Sequence, residues 1–245
     1  MRAPKTLFIS DLHLDASDPA IARQFHAFLS GEAREADALY VLGDLFEVWF
    51  GDDDPDPSAR ATVAALRALT ESGVPCYLMH GNRDFMLGRR FCRETGTTLL
   101  PDGTVIDLYG ERALLMHGDL LCTDDEDYQR MRRVLRNRTL QWIFRRLPLE
   151  RRRAVAQRLR EGSRERVGMK APEIMDVNGT AVERAFRKHS VRTLIHGHTH
   201  RPAVHELSVD GTPDAVSARS AAAVARADGS GSSSPNQTSN RSPSM

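Results

Sequence analysis

Five short clusters of carboxylate, amide and imidazole side chains punctuate the chain. They are Asp11-Leu12-His13, Gly43-Asp44, Gly81-Asn82-Arg83-Asp84, His117-Gly118-Asp119 and Gly197-His198-Thr199-His200. These residues offer oxygen and imidazole ligands without a thiolate. Such a donor set suits Mn²⁺, Fe, Zn²⁺ or Mg²⁺ and excludes a Cys-based structural zinc. Residues two apart on an extended chain face the same side, so Asp11 with His13, and His198 with His200, converge if strand geometry continues through them. Glycines beside four of the clusters let the backbone turn sharply and bring ligands close.

The elements that must position these groups are short and apolar. Thr6–Ser10, Ala38–Leu42, Pro75–Met79, Ala113–Met116 and Thr193–Ile195 read as buried strands, each ending at one of the clusters. In α/β sheets, ligands gather at the carboxyl ends of strands. Val105–Tyr109 and Ala113–Met116 are predicted to form a hairpin through Gly110-Glu111-Arg112. Pro19–Leu29 and Ser58–Ser72 carry apolar residues at helical spacing. Between His117 and His198 the chain is mainly helical. There Leu140, Ile143, Phe144 and Leu147, with Trp142 beside them, predict an insertion lying over the strand ends. The expected organisation is a core over 1–122 and 185–212, a helical cap over 123–184, and a low-complexity tail over 213–245. Ala203–Val209 alternates like a strand and meets Asp210-Gly211, so a hairpin should return there. The Ala- and Ser-rich residues that follow are poor material for a packed strand. The tail is therefore expected to be disordered or loosely helical, leaving an unpaired edge beside Ala203–Val209.

Charge is unevenly distributed. The 245 residues carry 34 basic and 33 acidic groups, a net +1, yet Arg130–Lys170 holds 15 basic against three acidic residues, or +12. Arginine clusters suit anionic partners because the guanidinium fork binds phosphate bidentately. Few aromatic residues lie along that block, which weakens a single-strand nucleic-acid reading. No apolar run approaches the ~18–20 residues that span a bilayer, and Met1–Leu7 has no signal-peptide pattern. Three scattered cysteines, Cys76, Cys92 and Cys122, fit a reducing cytosol.

Taken in order, Asp-x-His, Gly-Asp, Gly-Asn-x-Asp, His-Gly-Asp and Gly-His-x-His resemble the signature of the calcineurin-like metallophosphoesterases, over about residues 5–207. Ile9–Leu14, Gly43–Glu47, Gly81–Phe85, Leu121–Asp125, Ile174–Asn178 and His196–Pro202 are more narrowly similar to one branch of that family. Its members are peripheral membrane enzymes of lipid A biosynthesis that hydrolyse UDP-2,3-diacylglucosamine to 2,3-diacylglucosamine 1-phosphate and UMP. The resemblance implies an α/β two-sheet sandwich flanked by helices, with a helical insertion cap and two Mn²⁺ per chain. Asp11, His13, Asp44 and His200 would hold one metal; Asp44, Asn82, His117 and His198 would hold the other, with Asp44 bridging. Asp44, Asn82, Arg83 and His117 are then the catalytic set. Substrate contacts would come from Asn82, Arg83, Asp125, Ser163, Lys170 and His198. Val167 stands where some relatives carry a polar contact.

Arg83 departs from the wider family, which often has His at that position as a leaving-group acid. An arginine cannot donate a proton, but it can neutralise charge on a phosphate. A departing phosphate needs little acid help, so Arg83 favours diphosphate cleavage over alkyl-ester hydrolysis. The implied partners are the UDP-diacylglucosamine lipid and the anionic cytoplasmic face of the inner membrane, with no nucleic acid. Asp84 and Asp119 are expected to orient ligands, His80 and His196 to support them, and Cys122 to be a buried small apolar residue.

Overall fold

The computed structural model describes residues 3–54, 56–167, 176–200, 203–209, 212–219 and 225–228. Two five-stranded sheets form the centre. In the first, β1 (Lys5–Ile9), β2 (Ala38–Val41), β3 (Cys76–Met79) and β4 (Thr98–Leu100) run parallel, and β10 (Ala225–Asp228) pairs antiparallel with β1. The second sheet has the order β5 (Thr104–Leu108), β6 (Glu111–Met116), β7 (Thr193–His196), β9 (Thr212–Arg219) and β8 (Ala203–Val209).

Strand alternation sorts the apolar side chains into three layers of contact. Leu7, Ile9, Leu39, Val41 and Leu78 point away from the second sheet, into a core shared with the helices outside the first. Phe8, Leu42, Met79, Leu115 and Ile195 meet between the sheets. Leu114, Met116 and Leu194 face outward on the other side, against Val182 and Phe186 of α7 (Gly179–His189). The molecule is thus a helix–sheet–sheet–helix sandwich, with both sheets covered as parallel pairing requires.

Local chemistry starts and stops the covering helices. Asp18 and Asp56 cap α1 (Pro19–Ser30) and α2 (Pro57–Glu71), each with Pro inside the first turn. Ala59, Thr62, Leu66 and Leu69 make the buried face of α2. The short α3 (Arg89–Thr95) ends on Gly96 in the left-handed region at φ 72°. Asp52 anchors its start by accepting the Gly88, Arg90 and Phe91 amides at 2.9–3.0 Å. Neither α3 nor β4 stands out in the sequence, because each is too short to show a period.

Three helices form the cap between β6 and α7: α4 (Glu126–Leu135), α5 (Arg138–Arg146) and α6 (Leu149–Val167). No residue of α4 or α5 is fully buried. Instead, ion pairs tie the cap to the core. Arg152, 2% exposed, donates to the Phe50 carbonyl at 2.7 Å and pairs with Asp53, while Arg153 reaches Asp54 at 2.7 Å.

The expectation that no strand returns along Ala203–Val209 is overturned, although β8 is the outermost strand of its sheet. Thr212–Arg219 returns antiparallel along β8 with a bulge at Leu207/Ser208, and simultaneously pairs parallel with β7. Ala225–Asp228 then closes the outer side of β1. The weak β propensity of these residues is overridden because β7 and β1 each present unmet backbone groups that a strand of almost any sequence satisfies. The rest of the 213–245 segment lies outside the described residues.

Candidate metal centre

All five clusters sit beyond the ends of β1, β2, β3, β6 and β7, and they converge. Asp11, His13 and His200 place ligand atoms within 4.8 Å of one another, as do Asp44, His117 and His198. Asp44 joins the two groups: its Oδ2 lies 3.7 Å from His13 Nε2 and 3.8 Å from His117 Nε2. Asn82 Oδ1 completes the second group, 3.1 Å from His117 Nε2 and 3.2 Å from His198 Nδ1. The seven residues singled out as ligands are all brought together.

The route to convergence differs from simple alternation. Extended geometry stops at Ile9 and His196, and Asp11, His13, Asp44, His198 and His200 adopt φ of 56°, 48°, 52°, 74° and 53°. Five non-glycine residues in the left-handed region at one site amount to stored strain that the surrounding structure must hold in place. Backbone hydrogen bonds do so: Asp11 N–H donates to the Gly43 carbonyl at 3.1 Å, and His13 N–H to the Asp44 carbonyl at 2.9 Å. His198 N–H donates to Asp11 Oδ2 at 2.7 Å. Gly43 is required by space as well as by its φ of 96°. A Cβ there would lie 2.6 Å from both the Gly81 Cα and His117 Nδ1.

Hydrogen bonding fixes which histidine nitrogens face inward. His117 Nδ1 donates to the Leu42 carbonyl at 2.9 Å, and His13 Nδ1 to Glu47 Oε2 at 2.9 Å, since both oxygens can only accept. In each neutral ring Nε2 therefore presents a lone pair. His117 Nε2 then faces Asn82 Oδ1, and His13 Nε2 faces His200 Nε2 at 3.2 Å. The lone pairs of His117 Nε2 and Asn82 Oδ1, pointed at one another, repel unless a proton or a cation lies between them. Asp11 Oδ1 is also buried without a hydrogen-bond donor among the described residues.

The electrostatics point the same way. Burial raises the Asp44 carboxyl above its usual range, Asp84 and Asp11 add to this, and His117 and His13 only partly offset it. For His117, burial disfavours the proton, but Asp44, Asp119 and Asp11 outweigh it and lift the imidazole to about 9. His198, half-buried beside His117, is pushed down to about 3 by desolvation and by that neighbouring imidazole. Asp44 and His117 shift toward holding a proton, as buried groups beside an excess of carboxylate charge do, while His198, desolvated and next to His117, shifts away from one. A divalent cation relieves that excess, and the donor set fits two of them.

Other expectations resolve residue by residue. Asp84 is fully buried and accepts the Leu45 and Gly81 amides at 2.8 Å, pinning the Asp44 and Asn82 loops together. Asp119 turns instead toward the cap, accepting from Tyr128 and Arg132. His80 donates to the Leu87 carbonyl at 2.7 Å, and His196 is buried behind the ligands. Arg83 sits at the centre's edge: its amide donates to Asp44 Oδ1 at 2.8 Å, and its Nη1 lies 3.6 Å from Glu47 Oε1. Asp125 caps α4 by accepting the Tyr128 amide at 3.0 Å. Ser163 falls within α6 with its side chain undescribed, and Lys170 lies outside the described residues. Glu47, Asp102, Tyr128 and Arg132 were not anticipated. Glu47 alone had a sequence signal, following Asp44 by three residues in a segment already marked.

Beside the ligands opens a cavity of about 250 Å³. Asn82, Arg83 and Glu47 lie at its wall, while Phe85, Phe144 and Leu159 are among its mostly apolar lining, contributed by both core and cap.

A two-sheet sandwich gathering Asp, Asn and His at its strand ends defines a metallophosphoesterase, and the chain belongs to the calcineurin-like phosphoesterase family, whose model matches residues 4–202. It is 58% identical over 208 residues to the UDP-2,3-diacylglucosamine hydrolase of Escherichia coli O17:K52:H18, covering 85% of this chain and 87% of that one. The protein of the same name from Escherichia coli O81 is 59% identical over 202 residues, covering 82% and 84%. Among solved structures, Vacuolar Protein Sorting 29 from Cryptosporidium parvum superimposes with a TM-score of 0.47 at 14% identity, covering 92% of this chain and 86% of that one.

Proposed function

We propose that the chain hydrolyses the diphosphate of UDP-2,3-diacylglucosamine, releasing UMP and 2,3-diacylglucosamine 1-phosphate. The observation that carries this reading is the junction of two chemistries. Asn82, one of the convergent Asp/Asn/His ligands, and Arg83 next to it line an apolar cavity shared by core and cap. A diphosphate with an acylated sugar needs both. The high identity to relatives of that name supports the same substrate.

Divalent cations, proposed to be Mn²⁺, would supply Lewis acidity and lower the pKa of water when bound. Asp11, His13, Asp44 and His200 would hold one; Asp44, Asn82, His117 and His198 would hold the other. The chain's own residues do the rest. Glu47 and the Leu42 carbonyl hold the tautomers of His13 and His117 that leave Nε2 available. Arg83 carries charge to the diphosphate: it lines the cavity beside Asn82, and its buried Nε has no acceptor among the described residues. Being unable to give up a proton, it suits a leaving group that departs as a phosphate. Asn82, Arg83 and His198 are assigned to the diphosphate, with Asp125, Ser163 and Lys170 contributing from the cap side.

The same reading places the chain at the cytoplasmic surface of the inner membrane. Among the described residues no helix is long and apolar enough to cross a membrane. Yet Leu140, Trp142 and Ile143 of α5 are about half exposed, and Arg146 stacks over the Trp142 ring at 4.0 Å. Apolar side chains interleaved with arginines suit an anionic lipid interface. Release of UMP from UDP-2,3-diacylglucosamine, followed with Mn²⁺ and after chelation, tests the activity. Metal-dependent UMP release is expected; its absence from metal-loaded protein would overturn the reading.

A further inference from the structure

Arg132, on α4 of the cap, shares hydrogen bonds with the walls of the metal centre. Its Nε donates to Asp119 Oδ2 at 2.6 Å, and its Nη2 to Asp102 Oδ2 at 3.2 Å. Asp102 Oδ1 in turn accepts the backbone N–H of His117 at 3.1 Å. Asp119, two residues beyond His117 and fully buried, also accepts the Tyr128 hydroxyl at 2.7 Å. The Tyr128 ring lies 5.9 Å from the His198 imidazole. One guanidinium from the cap therefore joins the carboxylate that holds the His117 backbone to the carboxylate that holds the tyrosine beside His198. Those two histidines belong to the same ligand group.

A second tie runs from the same helix. Gln129 Nε2 donates to the Asp119 carbonyl at 2.7 Å and to the Cys122 carbonyl at 3.0 Å. Seating α4 and shaping the stretch after His117 are thus one packing event. The geometry also explains the residue type: the two carboxylates are met by donors on different nitrogens of one rigid plane, a spread that the single compact ammonium of lysine does not offer.

We infer that Arg132 is a positioning residue that couples docking of α4 to the geometry of the His117–His198 half of the metal centre. That half binds a cation tightly when the cap helix is seated. The inference rests on the two-cation reading above, and its test uses metal binding rather than turnover.

Chelator-stripped wild type, Arg132→Ala, Arg132→Lys and Leu66→Ala are titrated with Mn²⁺ by calorimetry. Leu66→Ala destabilises the core of α2 at a distance from the ligands. Wild type should bind two equivalents. Arg132→Ala should keep one at wild-type affinity and weaken the other about 10–100-fold, the usual cost of losing a group that orients a ligand. Arg132→Lys, which retains charge and one contact, should fall between, while Leu66→Ala should bind both equivalents normally. Two wild-type affinities in Arg132→Ala would overturn the coupling. So would an equal loss in Leu66→Ala, since general destabilisation would then suffice. A wild type that binds a single equivalent would instead defeat the two-cation reading.

Discussion

Asp44 is the residue on which the site turns. It is buried, it lies within 4 Å of a histidine from each ligand group, and its Oδ1 accepts the Arg83 amide. Replacing it removes a ligand from both groups and a backbone anchor at once. Asp44→Ala should abolish turnover in the UMP-release assay; near-normal rates in excess Mn²⁺ would contradict its bridging role. Arg83 should behave differently because its guanidinium sits at the cavity wall rather than among the ligands. Arg83→Ala should lower kcat by roughly 10²–10³, comparable to losing one charge-stabilising donor. Mn²⁺ binding by this variant should match wild type in the calorimeter. A loss of metal in step with rate would make Arg83 a structural residue.

Among the elements, the cap is tied to the core by ion pairs, and the terminal strands are held by backbone pairing. Arg152 brings a buried guanidinium to the Phe50 and Leu147 carbonyls and to Asp53. Arg152→Ala should cost about 1.5–3 kcal/mol, the range for hydrogen bonds to charged groups, read as a lower thermal midpoint. The Arg152 hydrogen bond lowers the Asp53 pKa below its ordinary 3.8. The pair therefore contributes fully above that value, and the contribution fades as pH falls through the depressed folded value. The midpoint gap between wild type and Asp53→Asn should accordingly be present at neutral pH and close in acid; a gap independent of pH would contradict the ion pair. The terminal strands act through the backbone. Ending the chain at residue 211 removes β9 and β10 and strips the partners from the outer sides of β7 and β1. With four residue pairs lost on β7 alone, the cost should be on the order of 3–5 kcal/mol. The truncated protein should melt earlier and self-associate on size-exclusion columns through its exposed edges.

At the scale of the whole molecule, charge separation and exposed apolar residues coincide. The +12 stretch Arg130–Lys170 contains α5, where Trp142 and Ile143 are 54% and 48% exposed. Each Lys or Arg near an anionic surface contributes about 1 kcal/mol, and salt screens it within about 10 Å at 0.1 M. The protein should float with anionic vesicles at low salt and release at high salt. Equal flotation with neutral vesicles would remove charge from the account and leave the apolar residues to explain it.

The sequence by itself determined the ligand chemistry. The five clusters were legible because each follows an apolar run whose strand character is local, and the family resemblance singled out Asp11, His13, Asp44, Asn82, His117, His198 and His200 within them. Residue type alone excludes a thiolate site. It also determined the hairpin of β5 and β6 and the main helices, whose periods are long enough to read. Only the tertiary structure decided how the ligands meet. Left-handed backbone at five of them is imposed by contacts between loops far apart in the chain, and no local pattern encodes it. Glu47, Asp102 and Arg132 became visible for the same reason: Asp102 and Arg132 acquire meaning at separations of 15 and 30 residues, across hydrogen bonds that folding creates. The terminal strands reverse what their composition suggested, because a strand can be specified by the open backbone groups of its neighbours rather than by its own side chains.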